Sequence, residues 1–235
     1  MSFQSFINNP KAYVKVHEMQ LQGAGANLVP ASVTRAAPVV NPAHGNSIQF
    51  THIANVQMAL SQSVGAKNFA AMALGRAGVM NKRGITYVPA VGGAFPNLRI
   101  LPWSGTDVTF MQLDGGADFA LTGPLTGCTV SVVRHAGNLW FFHANVAGGG
   151  GMGPANRATK RSMIRHAGSL VGVPQTANYF FCEYGPQHQY EGLGFVWGRL
   201  RAGGVWKFYV HEIQPPNPGA LLNTNTTSDG KWAQL

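Results

Sequence analysis

Two residues able to do covalent chemistry stand near the middle of the sequence. Cys128 opens the run Cys128-Thr129-Val130-Ser131-Val132-Val133-Arg134, and His143 lies in Leu139-Trp140-Phe141-Phe142-His143-Ala144-Asn145-Val146. A thiol with an ordinary pKa of about 8.5 is only partly ionised near neutrality, and an adjacent imidazole activates it by taking its proton. Such a couple attacks carboxamides, esters and thioesters through an acyl-enzyme thioester that water then releases. Cys128 is therefore the candidate nucleophile and His143 its base. The Leu125-Thr126-Gly127 turn ahead of the thiol is the candidate for presenting amide N–H groups to a developing oxyanion, and Gly127 leaves space for a substrate backbone. Thr122, a little upstream, is the candidate for holding the imidazole tautomer through its hydroxyl or carbonyl.

These residues need elements that bring them together. The two runs are β-branched or aromatic and flank His135-Ala136-Gly137-Asn138, which predicts a β-hairpin. If Arg134 pairs with Leu139, Val130 faces His143 and Cys128 faces Asn145. Cys128 and His143 are then diagonal neighbours on one face, at roughly 7 to 8 Å between backbones and less between Cβ atoms. A slip of one residue puts them on opposite faces.

Leu125-Thr126-Gly127-Cys128 resembles the Leu-Ser-Gly-Cys motif of bacterial toxin glutamine deamidases, the cytotoxic necrotizing factor catalytic domain and Burkholderia lethal factor, with Thr in place of Ser. The interval from Cys128 to His143 is similar to the necrotizing-factor pattern, and Thr122 falls about where the lethal factor has its third active-site threonine. The resemblance spans Thr122 to Val146. It implies a β-sandwich flanked by helices and loops, and an effector or toxin that converts a glutamine of a host protein to glutamate. In the relatives the target is a Rho-family GTPase or a translation-initiation helicase. A route of export that uses no signal peptide, action in the host cytosol and a monomeric state are the corresponding expectations.

The rest of the chain reads as one domain over residues 1–235. Residues 1–45, rich in Asn, Gly, Ala and Pro, read as an irregular arm or cap, and residues 215–235 as a polar tail. Spacing of Ile53, Val56 and Leu60, then of Phe69, Met72 and Ala73, predicts helices over 53–62 and 66–80. β-prone runs follow at Ile85–Val88, Leu98–Leu101, Val108–Leu113, Phe119–Thr122, Tyr179–Tyr184, Gly194–Leu200 and Val205–Ile213. Pro154 opens a helix to about Leu170, on which Arg157, Lys160, Arg161 and Arg165 form one basic face, solvated or docking an acidic target. The predicted class is α+β, with a β-sandwich of mixed sheets flanked by two or three helices and long loops.

Composition narrows the partners. Seventeen Lys and Arg against eight Asp and Glu give a net charge of +9, a field that attracts acidic partners. Neither a polybasic run nor an RNA-binding motif is present, so nucleic acid is not expected as the main partner. Neither a signal peptide nor an apolar run of membrane-spanning length is expected. Cys128 and Cys182 do not make a disulfide framework, and a reducing compartment suits them. With no close ligand pair such as Cys-x-x-Cys among Cys128, Cys182, His135, His143, His188 and His211, neither a metal nor another cofactor is expected. Gly148 to Gly153 lacks the Lys-Ser or Lys-Thr of a phosphate loop and reads as a loop bordering the site.

Plainer alternatives stand beside these. Cys128 and His143 are each compatible with ordinary core packing, and Cys182 and His135 read as a core thiol and a loop imidazole. A cysteine peptidase, amidase or transglutaminase-like acyltransferase would use the same pair. The β-branched run after Cys128 disfavours the helix that a papain-like nucleophile opens. A non-enzymatic basic module binding nucleic acid or an acidic protein is the third reading.

Overall fold

β-branched and aromatic runs punctuated by Gly and Pro make most of the described residues into strands. The structure, a computed structural model, describes residues 3–21, 33–40, 47–53, 58–67, 83–91, 95–103, 105, 107–113, 115–145, 154–185, 188–190, 193–214 and 230–235. In chain order the elements are α1 (Phe3–Asn8), α2 (Pro10–Val16), β1 (His17–Leu21), β2 (Val33–Val40), β3 (Ser47–Ile53), β4 (Met58–Lys67) and β5 (Arg83–Val91). Then come β6 (Leu98–Leu101), β7 (Asp107–Leu113), β8 (Phe119–Leu125), β9 (Thr129–His135), β10 (Asn138–Ala144) and α3 (Pro154–Ser169). The chain closes with β11 (Phe180–Cys182), β12 (Leu193–Arg201), β13 (Val205–Gln214) and β14 (Gly230–Gln234).

Two sheets carry the architecture. One has six strands in the order β11-β9-β10-β7-β3-β2, the other five in the order β14-β13-β12-β8-β6, and each mixes parallel with antiparallel pairs. Between them lies a core in which Val130, Val132, Leu139 and Phe141 of the first sheet meet Ala120, Val196, Phe208 and Val210 of the second. The opposite face of the six-stranded sheet packs Val133, Trp140 and Phe142 against Met163, Ile164 and Ala167 of α3. This is an α+β fold with a sandwich-like core and helices on its flanks.

Several expectations are corrected by these pairings. Of the predicted helix over 53–62, Ile53 ends β3 and residues 58–62 belong to β4, which pairs in an antiparallel ladder with β5, while residues 54–57 lie outside the described residues. Ala66 and Lys67 belong to β4 as well, and the remainder of the predicted 66–80 helix lies outside the described residues. Tertiary pairing outweighs a weak helical periodicity here.

The stretch 1–45 is more than an irregular arm, since it holds α1, α2, β1 and β2. Phe6 of α1 explains why: it is fully buried, with its ring 5.4 Å from Phe119, 6.0 Å from Trp197 and 6.2 Å from Phe195, on the outer face of the five-stranded sheet. Burying a phenylalanine there contributes about 1.5–3 kcal/mol, enough to fix a short helix that would not persist alone. Within the expected polar tail, Gly230–Gln234 forms β14 and pairs with β13, covering an edge that would otherwise stay open.

Candidate active site

The hairpin forms in the expected register. Arg134 pairs with Leu139, Val130 with His143 and Thr129 with Ala144. The ladder closes one step further than expected, at His135 and Asn138, so the turn is the two residues Ala136 and Gly137, with φ of 48° and 81°. Both signs are those of the turn whose twist matches a hairpin. Cys128 directly precedes β9, two residues before Val130, and shares with it the core between the sheets. Thiol and imidazole therefore lie on one side of the hairpin, the inner side.

Thr122 reaches the same place from the opposite sheet. Its Oγ1 is 2.6 Å from His143 Nδ1 and 2.8 Å from the Leu101 carbonyl oxygen on the parallel neighbour β6. A hydroxyl has one proton to give, and a carbonyl can only accept. The Thr122 proton thus goes to Leu101, and His143 Nδ1–H donates to Thr122 Oγ1. Nε2 is left with its lone pair, buried and without a hydrogen-bond partner among the described residues. That is the tautomer a general base needs.

Burial dominates the electrostatics. Cys128 is 2% exposed and His143 fully buried. Loss of solvent pushes the thiol up, opposed by the Thr126 amide, the Lys160 charge and the amide of Cys128 itself. The same loss, assisted by the Lys160 charge, pushes His143 down to about 3. Near neutral pH both resting groups are therefore uncharged, and any attack by this sulfur would need its proton to leave in the same step.

The turn before the thiol holds Leu125 buried, Thr126 exposed and Gly127 at φ 105°, a backbone conformation that glycine adopts without strain. The carbonyl of Gly127 accepts a hydrogen bond from Lys160 Nζ, and the carbonyl of Cys128 accepts one from the Tyr190 hydroxyl at 2.6 Å.

Lys160 corrects the expected basic helix face. It is buried because it shares a stripe with Met163, Ile164 and Ala167, one turn before them, and its ammonium points into the site. Its neighbours are largely engaged as well. Arg161 Nε and Nη2 donate to the Glu183 carboxylate at 2.8 and 2.5 Å, which holds the guanidinium above its ordinary pKa. Arg165 lies over the rings of Phe181 and Tyr179 at 5.3 and 5.9 Å, and Arg157 is half-buried. Spacing alone cannot distinguish a solvated face from one laid against the segment 179–183. The apolar stripe running through Lys160 was the available sign.

Tyr190 had no such sign, since its role depends on a chain crossing from far along the sequence. Cys182 packs in the core as expected, its thiol pushed well up by burial and then by the Glu183 charge. The expected Gly148–Gly153 border loop lies outside the described residues. Among the described residues no group of His, Cys, Asp and Glu is arranged to hold a metal ion, and no helix is long and apolar enough to cross a membrane. No protein-family model and no curated protein sequence matches the chain.

Proposed function

We propose that the protein is a cysteine-dependent deamidase of glutamine side chains in another protein. The observation that carries this reading is the Thr122–His143 contact, which leaves Nε2 unprotonated on the face of the hairpin that Cys128 shares. An imidazole that merely fills a core has no need of a bare, unpartnered nitrogen, because burying one costs about 1–3 kcal/mol.

The chemistry runs in two halves. Cys128 Sγ attacks the carboxamide carbon while its proton passes to His143 Nε2, forming the C–S bond and an oxyanion that backbone N–H groups of the turn stabilise. The imidazolium returns that proton to the amide nitrogen, the C–N bond breaks and ammonia leaves. Water then attacks the thioester with His143 as base. The C–O bond forms, the C–S bond breaks, the thiol regains its proton, and glutamate remains. No cofactor enters this sequence.

The resemblance around Leu125–Cys128 supports a host protein as target, with a Rho-family GTPase or a translation factor as the first candidates, and an effector or toxin delivered to the host cytosol without a signal peptide. The internal engagement of Lys160, Arg161 and Arg165 counts against the basic-module alternative, in which these side chains would be offered to a ligand.

The test is intact-mass proteomics on host lysate treated with native protein and with Cys128→Ser. Replacement of NH2 by OH raises a target by about 1 Da without cleavage or crosslinking. The native protein should produce that shift together with ammonia, and Cys128→Ser neither. Ammonia release that survives in the folded Cys128→Ser protein removes the reading, and cleaved or crosslinked targets transfer it to a peptidase or acyltransferase.

A further inference from the structure

Lys160 is 7% exposed, on the core-facing stripe of a helix, and among the described residues its ammonium donates to the carbonyl oxygen of Gly127. A lysine so placed has almost no surface for a docking partner. What it touches is the peptide that joins Gly127 to the nucleophile.

That peptide is trans, so its C=O and N–H point in opposite directions in one plane. Fixing the Gly127 carbonyl toward Lys160 fixes the Cys128 N–H the other way. Gly127, at φ 105° and with nothing near the position a Cβ would take, is the residue about which this peptide could otherwise turn over at small cost. Turned over, it would present a carbonyl where a donor is wanted. On the far side of Cys128, Tyr190 holds the next carbonyl at 2.6 Å and is itself 1% exposed.

We propose that Lys160 is a positioning residue: by gripping the Gly127 carbonyl it aims the Cys128 amide N–H at the developing oxyanion, with Tyr190 steadying the peptide that follows. The assignment rests on the Cys128–His143 reading given above. A positive charge on the carbonyl also polarises the peptide and strengthens its N–H as a donor. The charged and titratable groups around the ammonium are Cys128, Glu183 and Arg157, with His143 sensing its charge from β10. Of these only Glu183 and an ionised Cys128 favour the charged form, against burial and Arg157.

Gly-Cys occurs once in the sequence, so protein made with carbonyl-13C glycine and 15N cysteine gives one NMR signal for the Gly127–Cys128 peptide. In Lys160→Met that signal should move in both dimensions and ammonia release should slow at least about tenfold, while loss of the lysine charge displaces the pH profile of Cys128 alkylation by iodoacetamide upward. Lys160→Arg should recover part of the rate, and Tyr190→Phe should give a smaller slowing. A folded Lys160→Met protein with an unmoved peptide signal overturns the proposal. Should Lys160→Met fail to fold, the native protein decides: its Gly127 carbonyl signal must respond when alkaline pH discharges the lysine, and a flat response overturns the proposal. Failure of the deamidase reading looks different, as ammonia release by Cys128→Ser.

Discussion

Thr122 and His143 belong to different sheets and meet across the sandwich at 2.6 Å, with the threonine proton committed to Leu101. The imidazole on one sheet is oriented by a hydroxyl on the other. Thr122→Val keeps the shape and removes the acceptor, leaving Nδ1–H buried and unpaired at a cost of about 1–3 kcal/mol. If the proposed deamidase reading holds, ammonia release should fall by roughly a hundredfold while the thermal transition stays cooperative.

The depressed His143 pKa makes an acid-stability prediction. Folded His143 protonates only near pH 3, unfolded histidine near 6.5, so between those values the unfolded chain binds the extra proton. Stability is then fully present above about 6.5 and declines as pH falls, at up to about 1.4 kcal/mol per pH unit from this group. Urea unfolding across that window should show a shallower decline in His143→Gln than in the native protein. Parallel slopes would mean the histidine is not buried neutral.

The two thiols should differ in reactivity. Both are buried, but two amides and a lysine charge oppose the rise at Cys128, whereas the Glu183 carboxylate adds to the rise at Cys182. Iodoacetamide followed by peptide mapping should label Cys128 first, and both more slowly than free cysteine because little of either is exposed. Labelling of Cys182 first would contradict this ordering.

The Arg161–Glu183 pair is two-pronged at 2.8 and 2.5 Å, with the carboxylate 2% and the arginine 43% exposed. Solvent screens the arginine end, so Glu183→Gln should cost only about 1–2 kcal/mol, read as a lowered urea midpoint. It should loosen α3 from the segment 179–183 without abolishing the hairpin.

The hairpin was legible because its signal is local: β-branched and aromatic runs, a short turn, and a register that only one pairing of Arg134 and Leu139 satisfies. Thr122 was legible through its place just upstream of Cys128 and through the resemblance, and not through periodicity, since its partner lies on another sheet. Residues 58–62 form strand and not helix because apolar residues at helical spacing also suit a strand whose partner, here β5, is distant in sequence. The first 45 residues were undervalued for a related reason. The importance of Phe6 lies in the aromatic floor of Phe119, Phe195 and Trp197, contributed from beyond residue 100. Lys160 shows the remaining gap, in which a charge was assigned to water by its type while its position on an apolar stripe assigned it to the interior.

On the proposed reading, a sandwich that divides one proton relay between its halves makes chemistry conditional on assembly. The ribbon of β9 and β10, with Cys128 at its entry, owns sulfur and ring, yet nothing in it decides which nitrogen is bare; the decision arrives only when β8 and β6 close over them. A chain still folding, or sheared by a fraction of a residue between its layers, would hold every reactive atom and remain silent.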